Sequence, residues 1–195
     1  MNMIFGAMMI FFTNILLATP SAIPSIEVAP IGVSKKIKVV LRDLKQATKI
    51  ELTTENGSVL ISEQTNSPSF AKLYNLELLS EGNYILRILN AQREIEQPIE
   101  INRNEVLVNV LSRRDFFLPT VFLDQKIVNV MLLNQRLTDV TVMLKDAYGD
   151  ILFTEKIGAV FKLEKRYDIA ALDRGNYQVV IATSEKTYYH DIRKK

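Results

Sequence analysis

The chain beyond residue 35 is a series of short runs in which hydrophobic and polar residues alternate. In one run Tyr84, Leu86 and Ile88 share one parity, and similar runs recur about every ten residues. A period of two is that of an extended strand, whose successive side chains point to opposite faces. No run after residue 30 has helical periodicity. The pattern therefore predicts an all-β chain with the short strands of an antiparallel sandwich.

Two sequence landmarks occur twice in the same order, which indicates an internal duplication. The motif L-x-x-G-N-Y occupies residues 79–84 and 172–177, and its glycines are 175 − 82 = 93 positions apart. The motif G-x-[VI]-L occupies residues 57–60 and 149–152, at an offset of 149 − 57 = 92. This period exceeds the roughly 20–50 residues of a solenoid repeat and is typical of a duplicated domain.

The duplication divides the chain into two modules. We predict β-sandwich domains over residues 35–111 and 120–195, joined by a linker over residues 112–119. Modules of this size bury only about 60–65% of the surface that their unfolded chains expose. We therefore expect contact between the two modules to contribute to stability.

The first residues have the composition of an export signal. Residues 3–18 are largely apolar and would span roughly 24 Å as a helix, less than the ~30 Å of a hydrocarbon core. We predict a signal peptide over residues 1–21, cleaved after Ser21, and an extended spacer over residues 22–34 that contains Pro24 and Pro30. Because no Lys or Arg precedes the apolar run, an uncleaved anchor and a buried strand or helix stay as alternatives.

The repeated L-x-x-G-N-Y motif resembles the corner before a late strand of immunoglobulin-like domains. The resemblance implies that the hydroxyls of Tyr84 and Tyr177 bind backbone a few residues upstream, while Gly82 and Gly175 take the tight turn. The cysteines and the tryptophan of antibody domains are absent. What the resemblance implies is therefore the architecture, two tandem immunoglobulin-like antiparallel β-sandwich domains.

With G-x-[VI]-L before it, the repeat also resembles small exported sandwich modules of Gram-negative bacteria. One such group, to which the similarity is weak, is the C-terminal sorting domain of the type IX secretion system. The similarity covers roughly residues 39–90 and 130–192, and the Pro-Asn-Pro opening of sorting domains is missing from both copies. The resemblance implies a place in the cell envelope and, for the last module, a role in secretion targeting.

Composition excludes several kinds of chemistry. The 195 residues include no cysteine, which removes disulfides, thiolate metal sites, cysteine nucleophiles and the lipid-attachment cysteine of a lipoprotein. The formal net charge is +2, from 24 basic and 22 acidic residues, so charge gives no reason to expect nucleic acid as a partner. No phosphate-binding loop, nucleotide fingerprint or metal-ligand cluster is present, and we predict neither a cofactor nor a metal.

Few residues are candidates for a reactive or metal-binding site. His190 is the only histidine, and no G-x-S-x-G motif accompanies it, so we interpret it as a surface residue rather than a catalytic base. Asp146 and Asp150 flank a glycine without the spacing of an EF-hand, and are interpreted as turn residues rather than calcium ligands. We therefore predict no catalytic residue.

The segment over residues 94–101 combines proline with acidic residues. Pro98 predicts an edge strand, because proline cannot donate a hydrogen bond to a neighbouring strand. Glu94, Glu96 and Glu100 share one parity of that strand. We interpret them as a solvated outer face, since like charges on one face repel and also discourage pairing between sheets.

Tyrosines are the candidates for a contact surface. Tyr84 and Tyr177 lie in the repeated corner and are interpreted as structural. Tyr188 and Tyr189 are consecutive in a predicted strand, so one of them must face outward. Together with Tyr167 they form the predicted contact surface.

These observations predict a non-catalytic exported protein of the periplasm or cell surface. We expect an interaction or assembly module that binds a protein or a polysaccharide of the envelope. The membrane is expected as a partner only through the N-terminal segment, if that segment is not cleaved. Secretion targeting by the last module is the alternative, and an unrecognised hydrolase is the least favoured interpretation.

Overall fold

The computed structural model describes residues 24–195, which form two successive β-sandwiches. Within this range there are sixteen strands, one 3₁₀ turn over Val110–Ser112, and no α-helix. The predicted all-β architecture is confirmed. The predicted signal peptide over residues 1–21 lies outside the described residues. No helix in the described range is long and apolar enough to cross a membrane.

The first module contains nine strands in two antiparallel sheets. The strands are β1 (Ser25–Pro30), β2 (Lys36–Arg42), β3 (Thr48–Thr54), β4 (Val59–Thr65), β5 (Phe70–Asn75), β6 (Gly82–Leu89), β7 (Arg93–Ile101), β8 (Val106–Val108) and β9 (Arg114–Phe117). One sheet has the order β1-β2-β5 and the other the order β4-β3-β6-β7. β8 and β9 both pair with the outer side of β7.

The second module contains seven strands in two antiparallel sheets. The strands are β10 (Thr120–Asp124), β11 (Ile127–Leu133), β12 (Asp139–Lys145), β13 (Ile151–Ala159), β14 (Lys162–Asp168), β15 (Gly175–Ala182) and β16 (Thr187–Lys194). The orders are β10-β11-β14 and β13-β12-β15-β16, the same as those of β1 to β7. The duplication predicted from two short motifs therefore extends over the whole strand plan.

The two modules also share one irregularity, although β12 and β13 have a further register shift after Val140. The pairing of β3 with β4 shifts register after Leu52, and that of β12 with β13 shifts after Leu144. Gly57 and Gly149, in the turns of these hairpins, have φ of +88° and +92°. Glycine adopts this conformation without steric cost. The predicted hairpin turn at Gly57 is thus confirmed, and its repeat occurs at the second glycine.

A tyrosine corner locks each module, as the resemblance implied for the two tyrosines. Gly82 and Gly175 are the first residues of β6 and β15, and of the two only Gly82 has a positive φ, of +146°. The hydroxyl of Tyr84 donates to the carbonyl of Ser80 at 2.9 Å, and that of Tyr177 donates to Asp173 at 2.8 Å. Both rings are buried. The fourth strand pairs with the third, whereas in antibody constant domains it joins the other sheet. The modules are immunoglobulin-like sandwiches with this variant order.

Each module has its own hydrophobic core between its two sheets. In the first module the core includes Ile50, Leu52 and Leu86, and in the second it includes Val142 and Val179. These side chains come from the inward parity of their strands, since successive residues of a strand face opposite sides. Each fully buried aliphatic side chain contributes about 1.5–3 kcal/mol relative to exposure, so the alternation detected in the sequence is what assembles the two cores.

Two predicted boundaries need correction. Residues 25–30, predicted as part of a spacer, form β1, whose Val28 is buried in the core. Pro30 is tolerated because β1 is an edge strand and ends at this residue. Residues 114–117, predicted as part of the linker, form β9 and pair with β7. Prolines and charged residues in and beside both segments favoured a spacer and a linker over strands. Pairing with β2 and β7 stabilises these segments as strands nevertheless.

The prediction that Pro98 marks an edge strand is wrong. β7 lies between β6 on one side and β8 with β9 on the other. β8 pairs with residues 99–101 of β7 and β9 pairs with residues 93–96, so Pro98 lies opposite the gap between them. The Gln97 side chain occupies this gap, where its Nε2 donates to the carbonyls of Pro98 and Asn109 at 3.0 and 2.9 Å.

Candidate functional site

The two modules meet at a buried ion cluster, which we call the seam. Lys186, in the turn between β15 and β16, contacts Glu94 at 2.6 Å and Glu96 at 2.9 Å. Arg114 of β9 binds the other oxygen of Glu96 at 2.8 Å, and the Lys186 ammonium lies 4.4 Å from the ring centroid of Phe116. The seam therefore joins strands of the first module to a hairpin of the second.

The interpretation of these glutamates as a solvated face is wrong for two of the three. The side chains of Glu94 and Glu96 are only 10% and 4% exposed, while Glu100 is exposed as predicted. Burial raises the pKa of Glu96, but the hydrogen bond from Lys186 and the charges of Lys186, Arg114 and Arg87 outweigh it, so its pKa is lowered. The carboxylate stays charged because its partners surround it. The seam holds the modules together and leaves no free acid for chemistry.

The three tyrosines of the predicted contact surface do not lie together. Tyr167 is on β14 of one sheet, whereas Tyr188 and Tyr189 are on β16 of the other. Tyr188 is half-buried near the seam, where burial and the charge of Glu94 raise its pKa to about 12. Tyr189 is 61% exposed. A contact role for these residues stays a prediction, and only Tyr167 borders a cavity described below.

The other candidates from the sequence have structural surroundings. His190 is half-buried on β16, and burial lowers its pKa against the opposing charge of Asp191. Asp146 Oδ1 accepts hydrogen bonds from the backbone N–H groups of Tyr148 and Asp150, both at 2.9 Å. That geometry is the self-capped turn in which aspartate is common. Within residues 24–195 no three His, Asp or Glu side chains cluster as metal ligands do.

An apolar cleft of about 310 Å³ opens at the edge of the second module, where β13 ends one sheet and β14 ends the other. We call it the edge cleft. Its walls come from five strands, β11 to β15, and from the loop after β14. They comprise Val128, Val142, Met143, Leu144, Leu152, Phe153, Arg166, Tyr167, Asp168, Ile169, Ala171, Leu172 and Val179.

Tyr167, which lines the edge cleft, and Glu155 beside it belong to one group of hydrogen bonds. The Tyr167 hydroxyl donates to one oxygen of Glu155 at 2.8 Å, and Lys165 binds the other oxygen at 2.6 Å. These two hydrogen bonds lower the pKa of Glu155, while burial followed by Glu155 itself raises that of Tyr167. The Phe153 ring leans on Tyr167 with centroids 5.3 Å apart. The mouth is thus framed by an aromatic pair and a closed ionic group.

Three core residues that line the edge cleft are shorter than their equivalents in the first module. Strand pairing defines the equivalent positions: Ile37 lies opposite Tyr74 as Val128 lies opposite Tyr167. At three buried positions the second module has a side chain that is one carbon shorter. The pairs, first module and then second, are Ile37 and Val128, Ile50 and Val142, and Leu86 and Val179. All three valines line the cleft.

β13 presents an open backbone edge beside the cleft. In the described part of the chain it pairs with β12 alone, along a length of nine residues. Its first three residues, Ile151, Leu152 and Phe153, are exposed apolar side chains. Edge strands are usually protected by charges or prolines, because unpaired N–H and C=O groups accept strands from other chains. The first third of β13 has neither, and its one irregularity is the bulge at Leu152, where the pairing with β12 shifts register.

A larger groove of about 700 Å³ lies where the modules meet. It is open and lined by residues of both modules, among them the charged Lys45, Arg93 and Lys162. Its lining mixes charged and polar residues with apolar ones, whereas that of the edge cleft is mostly apolar. The edge cleft is therefore the better candidate, and its apolar walls fit binding rather than bond-breaking chemistry.

Known structures resemble the chain only distantly. A BSP domain of a biofilm-associated protein is 14% identical over 87% of this chain and 29% of its own, with a TM-score of 0.30. Alpha-2-macroglobulin from Escherichia coli, spanning domains MG0-NIE-MG1, is 12% identical over 87% and 64%, with a TM-score of 0.28. The human OSCAR ligand-binding domain is 12% identical over 88% and 95%, with a TM-score of 0.26. The chain spans less than two thirds of the first two structures.

No protein-family model matches the chain, and no curated protein sequence is significantly similar to it. Similarities as distant as those to the solved structures carry no argument about ligand or activity. The resemblance to type IX sorting domains stays a prediction. Functional inference therefore rests on the geometry of the seam, the edge cleft and β13.

Proposed function

We propose that this chain is a non-catalytic interaction module of an exported envelope or surface protein, and that β13 binds an extended segment of a protein partner. The observation that carries the proposal is the nine-residue open edge of β13, with three consecutive exposed apolar residues at its start. Unlike the rest of the strand, this part has no charge that would discourage pairing with another chain.

A polypeptide is the ligand that matches such an edge. An edge strand offers N–H and C=O groups at the spacing of a second strand, and main-chain hydrogen bonds then provide affinity for an added strand. A polysaccharide has no such row of complementary groups. The proposal therefore favours a protein over a glycan partner, and it favours β13 over Tyr188 and Tyr189 of β16 as the contact.

The seam supports this role by orienting the second module. Lys186 and Arg114 approach Glu96 from different elements, and the carboxylate that they bind is only 4% exposed. Buried pairs are screened less by salt than exposed ones, so the two modules act as one body under envelope conditions. Export, which the N-terminal segment predicts, would place β13 where envelope proteins are available.

Photo-crosslinking in producing cells tests the proposal with a control from the duplication itself. A benzophenone amino acid replaces Ile151 in one variant and Val59 in the other, because these residues occupy equivalent positions and are 57% and 52% exposed. We expect a discrete adduct with a partner protein from position 151 and none from position 59. The substitution Leu152→Lys should abolish the adduct, whereas Leu60→Lys should not.

Either of two results would refute the proposal. The first is the absence of any adduct at position 151 that Leu152→Lys removes. The second is the same set of adducts from positions 151 and 59, which would indicate nonspecific contact of exposed apolar residues.

A further inference from the structure

We infer that the edge cleft is a binding site for an aliphatic side chain, supplied by the strand that pairs with β13. The inference rests on the proposed function and adds the chemistry that would determine which strand is bound. It is derived from the difference between the two cores, from the charges at the mouth, and from the position of β13.

The first module shows which chemistry fills this space. Ile37, Ile50 and Leu86 each place one more carbon there than the equivalent valines do. All six side chains are at most 2% exposed, so the two cores differ here in side-chain length and not in exposure. In the second module the equivalent valines leave the space open at the sheet edges. An apolar cavity weakens a core when it is empty, since its lining loses both burial and contacts. A branched aliphatic group would supply what the shorter valines lack, and the cleft borders β13, the strand whose edge is open.

The charges at the mouth favour a neutral ligand. Glu155 is occupied by Lys165 and Tyr167, and the two other charged residues of the wall, Arg166 and Asp168, have opposite signs. A free fatty acid would place its carboxylate at this mouth, where no net charge compensates it. A residue within a peptide strand carries no charge on its backbone, so it matches the mouth as well as the walls.

The position of β13 places such a residue over the cleft. Leu152 and Phe153 belong both to β13 and to the wall of the cleft. Side chains of a strand added to this edge alternate between the two faces of the sheet, so every second one points to the space between the sheets. Recognition of alternate side chains in pockets is what gives specificity to strand addition.

Methyl NMR of the purified protein tests the inference directly. The neutral probe is N-acetyl-leucine N-methylamide and the anionic probe is octanoate. We expect saturable shifts of the Val128, Val142 and Val179 methyls with the neutral probe, and none at Ile37 or Leu86. The variant V128I/V142I/V179L should weaken this binding by at least about tenfold, the effect of a methylene in a hydrophobic pocket. Because the first module has these larger residues in the same frame, the variant should fold.

The outcomes separate the inference from the proposed function. Absence of saturable shifts, or tighter binding of octanoate than of the neutral probe, overturns the inference. In cells, loss of the position-151 adduct in V128I/V142I/V179L supports both statements. An adduct that persists in that variant, yet disappears with Leu152→Lys, overturns the inference alone. The reverse variant I37V/I50V/L86V should create a second probe-binding site in the first module, and failure of a folded variant to do so also counts against the inference.

Discussion

The two modules have the same seven-strand plan, the same register shift and the same tyrosine corner, yet one is closed and the other open. Tyr74 in the first module is 5% exposed and buried above a core of isoleucines and leucines. Its equivalent, Tyr167, is half-buried at the mouth of a cleft lined by valines. The difference teaches that two modules can share one strand plan while the module with three shorter core residues also has a cleft at its edge. Cores tolerate such changes when their pattern is kept.

A second contrast lies at the end of the last paired strand. Ile101 and Lys194 are equivalent, since they lie opposite Gly82 and Gly175. Ile101 is fully buried in the first core, whereas Lys194 donates to the carbonyls of Ile169, Ala170 and Leu172. Residues 169–172 form one wall of the edge cleft. In the open module, therefore, the buried Lys194 ammonium holds this loop in place from a position where the closed module has a packed hydrophobic residue.

The largest expected effect comes from separating the modules at the seam. Lys186→Met leaves two buried carboxylates with fewer counter-charges, and breaking a buried pair in this way should lower the free energy of unfolding by about 3 kcal/mol. Denaturant unfolding measures it. The matched control is Lys36→Met, whose exposed pair with Glu77 should contribute less than about 1 kcal/mol. Equal effects of the two substitutions would show that the seam does not couple the modules.

Replacing Lys194 by isoleucine, the residue at the equivalent position of the first module, should lower the free energy of unfolding by nearly as much. Lys194→Ile removes a charged donor from three carbonyls, and hydrogen bonds to charged groups contribute about 1.5–3 kcal/mol. We expect a loss in that range and faster amide exchange in residues 169–172. Unchanged exchange in the loop would contradict the role assigned to Lys194.

Whether a feature of this comparison could be predicted from the sequence depends on how far apart along the chain the residues that form it lie. The alternation around Ile37, the turn at Gly57 and the corner at Tyr84 are local patterns, and the structure confirms them. The cleft is a difference between aligned copies, and the offsets are 128 − 37 = 91, 142 − 50 = 92 and 179 − 86 = 93. Aligning the copies strand by strand would have revealed three shortened core residues in succession. The two repeated motifs, which are 92 and 93 positions apart, give only the last two of these three offsets.

The seam was not accessible to the same reasoning. Glu96 and Lys186 are 186 − 96 = 90 positions apart, and nothing near either residue marks it as buried. Parity on a strand predicts which residues share a face, but what covers that face is decided by the packing of β9 and of the second module. Charged residues are mostly exposed unless paired, which is why the sequence favoured a solvated face.

Smaller and opposite effects are expected when the core residues are exchanged. Val179→Leu adds a carbon where the cleft has room and should stabilise the protein by about 0.5–1 kcal/mol. Leu86→Val at the equivalent position removes a carbon from a packed core and should cost about 1 kcal/mol. Thermal unfolding of both variants measures whether each substitution stabilises or destabilises the protein. Destabilisation by both would mean that the second core is as tightly packed as the first, and the cleft would have no room for a ligand.

The smallest effects should come from the equivalent tyrosine hydroxyls. The Tyr74 hydroxyl is buried without a hydrogen-bond partner within the described part of the chain, whereas that of Tyr167 donates to Glu155. Removing an unpartnered buried hydroxyl relieves a desolvation cost, so Tyr74→Phe should be neutral or stabilising by less than about 1 kcal/mol. Tyr167→Phe removes a hydrogen bond to a charged carboxylate at a partly solvated site and should cost about 1 kcal/mol. If the two substitutions change the free energy of unfolding in opposite directions, the closed module buries its tyrosine for packing and the open module uses its tyrosine to frame the cleft. Equal losses of stability would mean that both hydroxyls are hydrogen-bonded and that the two edges differ in packing alone.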